Sequence, residues 1–266
     1  DLVCLLHEKP FAGVNGSGKH NNWSLATNDG ISLLYPGKTP YDNWQFLIFL
    51  TAVIAAVDDN APLLRLSAAS PGNDYRLGAS EAPPAIISIF LGDELTSILE
   101  QIETGHFMDR KQKVKLEVGV TTLPKFSIDT TDRNRTSPMA FTGNKFEFRM
   151  VPSSVSTAKA NIMLNTIVAE KLEQYANILE GAEDFHDAVV KLLQKEITAH
   201  KRIIFNGDGY SEEWVKEAER RGLPNIRTSV EAISIYNRPE YIDMFERHKV
   251  LDQAEILSRQ EILFEE

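Results

Sequence analysis

Apolar residues are densest between positions 46 and 57, where every residue except Thr51 is hydrophobic. A run that is apolar on all sides predicts a fully buried helix, here over 41–58, ended by Asn60-Ala61-Pro62. It is shorter than the about 20 residues that a bilayer-spanning helix needs. Residues 63–67 continue helically past the break. Residues 2–6, 22–26 and 85–91 read as short strands, the last rich in isoleucine. Residues 114–120 alternate apolar with Lys and Glu, which predicts a half-exposed strand, and 125–130 pairs with it. In the strand predicted over 145–150, Lys145, Glu147 and Arg149 share one face, and Phe146 and Phe148 anchor the other in the core.

Between these elements the punctuation is strong. Residues 70–76 carry turn chemistry and read as a loop. They run into 77–84, where Pro83-Pro84 exclude helix and central strand and leave Glu81 on a stiffened loop. Asp93 is placed to cap a helix over 94–104, closed by Gly105. After Ser153 the period changes. Ile162, Leu164, Ile167, Val168, Leu172, Tyr175 and Leu179 recur at helical spacing, as do Phe185, Val189, Leu192, Leu193 and Ile197. Ser211 caps a further helix with Glu212 and Glu213 in its first turn, and the rest from Ser229 is charged and helical. The chain therefore divides into a mixed α+β front, 1–153, and an all-helical back, 154–266.

The formal charge of -10, from 28 basic and 38 acidic residues, argues against broad binding to nucleic acid or acidic membranes. It leaves room for a local arginine pocket that takes an anion. The single cysteine, Cys4, excludes an internal disulfide, fits a reducing cytoplasm, and sits in an apolar run as a buried thiol. The chain opens on Asp1-Leu2-Val3 without a signal peptide and breaks off inside a helical pattern, so it is expected to be a fragment of a longer protein.

The candidate chemistry converges on residues 11–25, FAGVNGSGKHNNWSL. Gly13, Gly16 and Gly18 let this backbone turn sharply and approach a ligand closely. Gly13 to Lys19 fits the G-x-x-x-x-G-K phosphate loop, but His20 stands where a Mg²⁺-binding hydroxyl is required, and a strand and turn follow instead of a helix. Downstream lie Arg76 with Glu81, then Arg133-Asn134-Arg135, then Lys145-Phe146-Glu147-Phe148-Arg149. Each has a plain reading when taken alone: a surface turn, a stray ion pair, a solvated basic turn, an amphipathic edge strand. The histidines at 7, 106, 186, 200 and 248 show no metal-binding spacing, and no nucleophile motif is present.

Asn15-Gly16-Ser17-Gly18-Lys19-His20, preceded by Lys9-Pro10, resembles the N-G-S-G-x-H signature of the glutamine synthetases, most closely the large type III branch. The arginine followed by Glu81-Ala82-Pro83, the R-N-R run and the E-x-R strand then follow in that family's order from Lys9 to Arg149. The resemblance implies a partial glutamine synthetase-like catalytic sheet with flanking helices. The front would be the C-terminal part of the catalytic domain, and the back either a helical region of the same domain or an oligomer-interface extension. It implies ATP-dependent ligation of ammonia to glutamate through an acyl phosphate, with Mg²⁺ or Mn²⁺. His20 and Glu147 would ligate one ion. Asn15, Gly16, Arg76 and Arg149 would hold glutamate. Asn22, Ser24, Arg135 and Lys145 would contact ATP. Arg135 would also stabilise the transferring phosphoryl, and Glu81 would act on ammonium.

The family further implies homo-oligomeric rings, hexamers or dodecamers, and carboxylate ligands on strands ahead of the glycine loop. A chain lacking those strands is expected not to turn over alone. There are departures. Asn22 replaces a common second histidine, Ala140 stands where an arginine is usual, Lys145 replaces arginine, and 114–126 resembles an insertion consistent with type III. Two other readings stay open: a γ-glutamyl ligase of the same fold that uses another amine, and a non-catalytic homologue.

Overall fold

The computed structural model describes residues 7–79, 82–105 and 135–266. The strands expected at 2–6, 114–120 and 125–130, Cys4, Glu81, Arg133 and the insertion at 114–126 lie outside the described residues. Within them the fold is mixed α+β, a small sheet surrounded by many helices.

The sheet contains β1 (Asn21–Trp23), β2 (Ile89–Phe90), β3 (Met139–Phe141) and β4 (Phe146–Phe148), in the order β1-β4-β3-β2. β4 is central. It pairs antiparallel with β1, placing Asn22 opposite Glu147, and antiparallel with β3, placing Ala140 opposite Glu147. β2 joins β3 in parallel. The period-two reading of 145–149 holds: Phe146 and Phe148 are fully buried, while Glu147 between them is only partly covered.

The all-apolar run forms α1 (Trp44–Asp59), buried along most of its length and capped by Asn43, whose side chain accepts from the Phe46 amide. Asn60-Ala61-Pro62 breaks it, and α2 (Ala61–Ser67) continues at a bend of 78°. Among the described residues no single helix is long and apolar enough to cross a membrane.

Three expectations need correction. Residues 70–76 are not a loop: α3 (Pro71–Arg76) is a short helix, with the Ser70 hydroxyl accepting from the Asn73 amide and Pro71 in its first turn. Turn and cap signals use the same residue types, and here the cap won. Asp93 does not cap α4 (Asp93–Glu103). Gly92 is the N-cap, and Asp93 lies inside the first turn with Glu94, near the positive end of the helix. Only Ile89–Phe90 of the strand expected over 85–91 makes a ladder. Its other side meets the chain at single points, Ile86 with Asn225 and Ile89 with Ile204, so no second ladder extends it among the described residues.

The back of the chain forms α5 (Ala158–Glu180), α6 (Phe185–His200), α7 (Glu212–Arg220), α8 (Ser229–Ile233), α9 (Pro239–Arg247) and α10 (Gln253–Glu265). Ser211 caps α7 through the Trp214 amide, as its position implied. One hydrophobic cluster draws on α1, α2, the sheet and α5 to α10 together. A polar seam ties α1 to the helices behind it. Asp58 accepts from Arg202 Nε (2.9 and 3.0 Å) and faces His200 Nδ1 at 2.9 Å, Lys171 reaches Asp59 (2.7 Å), and the Tyr175 hydroxyl donates to Glu196 (3.1 Å).

Phe148 belongs to this cluster and has no exposure. Phe148→Ala in the full-length protein is expected to cost about 3–5 kcal/mol of stability. Urea unfolding measures it, and a loss well under that range would mean β4 is not held by its core face.

Candidate functional site

The glycine loop is held as a strap across the segment that follows β4. The Ser17 amide donates to the Glu8 carbonyl (2.8 Å) and the Lys19 amide to the Val151 carbonyl (2.8 Å). Gly18 bridges Pro152, Ser17 and Ser153 join hydroxyls at 3.0 Å, and Lys19 Nζ reaches the Val155 carbonyl at 2.5 Å. Beneath the strap lies Arg76 at the end of α3, only 8% exposed. Its Nη1 donates to Asn73 Oδ1 (3.1 Å) and the Met150 carbonyl (3.3 Å), and its Nη2 donates to the Arg149 carbonyl (3.0 Å). Asn73 is braced in turn on the carbonyls of Ala68 and Met150. A Cβ at Gly18 would overlap the Arg76 guanidinium, and one at Gly16 would come within 2.6 Å of the Glu8 carbonyl. The loop is glycine-rich because backbone has to lie directly on a buried side chain.

From Arg76 the contacts run on through Arg149. Its Nε and Nη2 both donate to Glu147 Oε2 (3.1 and 2.9 Å). The same oxygen lies 3.5 Å from Nδ1 of His20, whose side chain is 65% exposed. Asn22, across the ladder from Glu147, is exposed, with its amide 3.5 Å from the His20 carbonyl. Ser24 is exposed and donates to the Asn144 carbonyl at the β3–β4 turn (2.8 Å), next to the partly covered Lys145.

The structure thus brings Gly16, His20, Arg76, Glu147 and Arg149 into one connected cluster, with Asn22, Ser24 and Lys145 along its β1–β4 edge. Asn15 sits exposed on the strap. Arg135 is exposed, and its carbonyl accepts the Tyr210 hydroxyl (3.3 Å). Burial presses the Arg76 guanidinium below its ordinary pKa, while Tyr210 and Glu8 act in the opposite sense. It remains a cation, as arginine does in proteins.

Sequence reasoning missed Glu8. It is 3% exposed and accepts from the Ser154 amide (3.1 Å) and, in a very short contact, from the Ser154 hydroxyl. A charged residue beside a glycine loop reads as solvated, and no periodicity marks it otherwise. Burial raises its carboxyl, but the Ser154 hydroxyl and amide, the Glu8 backbone amide and His7 together hold it below the usual range.

The donor chemistry suits a divalent ion. A nitrogen and a carboxylate oxygen 3.5 Å apart can both bond one ion at about 2 Å. An imidazole with a carboxylate accommodates Mn²⁺ readily and Mg²⁺ less so. Arg149 already donates twice to that oxygen, so an ion there would share Oε2 with the guanidinium. Near the foot of the strap, Lys9 Nζ is enclosed without a hydrogen-bond partner among the described residues.

A buried arginine under a glycine strap, joined through Arg149 to a carboxylate beside an imidazole, makes a charged, polar cluster within a mixed α+β fold. Residues 188–266 match the glutamine synthetase C-terminal domain. The chain is 50% identical over 268 residues to the type-3 glutamine synthetase of Dictyostelium discoideum, covering 99% of this chain and 36% of that protein. It is 51% identical over 273 residues to a glutamine synthetase of Butyrivibrio fibrisolvens, covering 100% and 38%. To a glutamine synthetase of Bacteroides fragilis it is 45% identical over 271 residues, covering 99% and 37%. The chain belongs to the glutamine synthetase family and spans a little over a third of the length of these relatives.

A carboxylate with a depressed folded pKa stabilises the fold fully above its unfolded value, and that stabilisation fades as pH falls through the folded value. The stability gap between the unaltered full-length protein and Glu8→Gln is therefore expected to be full above about pH 4.3 and to close below it. Unfolding midpoints measured across acid pH check this, and a gap that does not change with pH would contradict it.

Proposed function

We propose that the full-length protein containing this chain is a glutamine synthetase, ligating ammonia to the side-chain carboxylate of glutamate at the expense of ATP. One observation carries the reading. The residues that resemble the family's signature, from Gly16 and His20 to Arg76, Glu147 and Arg149, meet in one cluster of close contacts, ion pairs and hydrogen bonds although they come from distant parts of the chain. The 45–51% identity across nearly all of the chain supports it.

In this reading His20 and Glu147 hold one divalent ion, which neutralises phosphate charge when bound. Asn15, Gly16, Arg76 and Arg149 position glutamate, arginine meeting its carboxylate groups as a planar fork. Asn22, Ser24 and Lys145, along the exposed β1–β4 edge, and Arg135 receive the nucleotide. Arg135 stabilises the phosphoryl group as the glutamate carboxylate becomes an acyl phosphate. Glu81 takes a proton from ammonium so that ammonia can attack. Ring-shaped homo-oligomers would complete sites of this kind between neighbouring subunits.

Glutamate- and ATP-dependent γ-glutamyl hydroxamate formation by the full-length protein tests the assignment. Glu147→Ala is expected to lower it by more than the about tenfold to hundredfold typical of outer-shell metal partners, without rescue at ordinary metal concentrations. Activity that survives the substitution would take Glu147 away from the metal. An inactive parent that couples glutamate to other amines would reassign the substrate.

A further inference from the structure

We infer that Glu8 is a positioning residue for the glutamate subsite: it locks the glycine strap and α3 onto the 152–154 segment, and so sets where Arg76 and the strap stand. This rests on the functional reading above and deepens it.

Glu8 makes contact on three sides. Its carboxylate takes both the amide and the hydroxyl of Ser154 on one oxygen, fixing it to the chain just after β4. Its carbonyl takes the Ser17 amide, fixing the strap. Its other carboxylate oxygen rests against Gly72 in the first turn of α3, where any Cβ would overlap it. Two more close approaches are centred on the same place. A Cβ at Gly16 would collide with the Glu8 carbonyl and crowd Arg76 Cγ at 3.0 Å, and one at Gly18 would overlap the Arg76 guanidinium. Three glycines from two separate segments therefore accommodate one acidic and one basic side chain, both nearly sealed from solvent.

The physical logic is that of a buried charge. A carboxylate this enclosed stays ionised only with donors around it, and the Ser154 pair supplies them. Those donors act only while the strap, α3 and the 152–154 segment keep their spacing. The carboxylate thereby adds one shared anchor to three segments that Ser17, Lys19 and Arg76 already join at other points. Arg76 rides on α3, and its Nη2 is bonded to the Arg149 carbonyl, so a shift of α3 reaches the strand that carries Glu147. Sub-ångström placement of a substrate-holding arginine is worth a large factor in rate or affinity.

The test uses the full-length protein with two readouts. In the hydroxamate assay, Glu8→Ala is expected to raise KM for glutamate about tenfold or more, with a smaller effect on kcat. Glu8→Gln, which keeps an acceptor for Ser154 but removes the charge, is expected to raise KM less than Glu8→Ala does. Ser154→Ala, which deletes one donor without touching Glu8, shifts KM in the same direction and serves if Glu8→Ala does not fold. Hydrogen exchange supplies the second readout: the amides of Ser17 and Lys19 are expected to exchange faster in Glu8→Ala while amides of α1 and α5 do not. Unchanged KM together with uniformly faster exchange would reduce Glu8 to a general stabiliser and overturn the proposal. An unaltered protein that forms no γ-glutamyl product would refute the functional reading instead, and the local exchange pattern would still decide whether Glu8 anchors the strap.

Discussion

A buried guanidinium has to find acceptors, and the site is built around how Arg76 finds them. Three of its five N–H donors go to Asn73 and to the carbonyls of Arg149 and Met150, which pins α3 to the chain leaving β4. The glycine strap then lies on the guanidinium because no Cβ stands in the way at positions 16 and 18. Arg149, Glu147 and His20 are placed in turn from that contact. The Arg149 backbone is held by Arg76 while its side chain forks onto Glu147, and Glu147 faces His20. A continuous path of charge and hydrogen bonds thus leads from a sealed cation to an exposed imidazole.

The helices behind the sheet position this site without entering it. α5 reaches the strap's own strand: Asn161 accepts from Asn21 and Asn165 accepts from the Trp23 indole. The ion-paired seam around Asp58, His200 and Arg202 fastens α6 to α1. With the phenylalanines of β4 sunk in the shared cluster, the charged face of that strand has one direction left to point. The helical back, in which no chemistry was read, is a large part of why the front has a defined geometry.

Legibility followed periodicity. The alternation at 145–149 told which face of β4 would be charged, because strand geometry leaves no other arrangement. The all-apolar run at 46–57 announced α1, and Ser211 announced α7 by its cap. Residues 70–76 were misread because Ser, Pro, Gly, Asn and Asp serve turns and helix starts equally, and only the packing of Asn73 and Arg76 against Met150 selects the helix. The strand expected over 85–91 shortened because its neighbours arrive as single bridges, which local composition does not reveal.

The order of the signature residues, their residue types and the face each strand residue takes were determined by the sequence alone, since all three are local properties of the chain. That Glu8 is buried, that Ser154 answers it, and that Gly16, Gly18 and Gly72 close on Glu8 and Arg76 were decided only by tertiary structure. Burial and pairing belong to residues separated by up to 146 positions, Glu8 and Ser154 among them, and such distances close only when the core has formed.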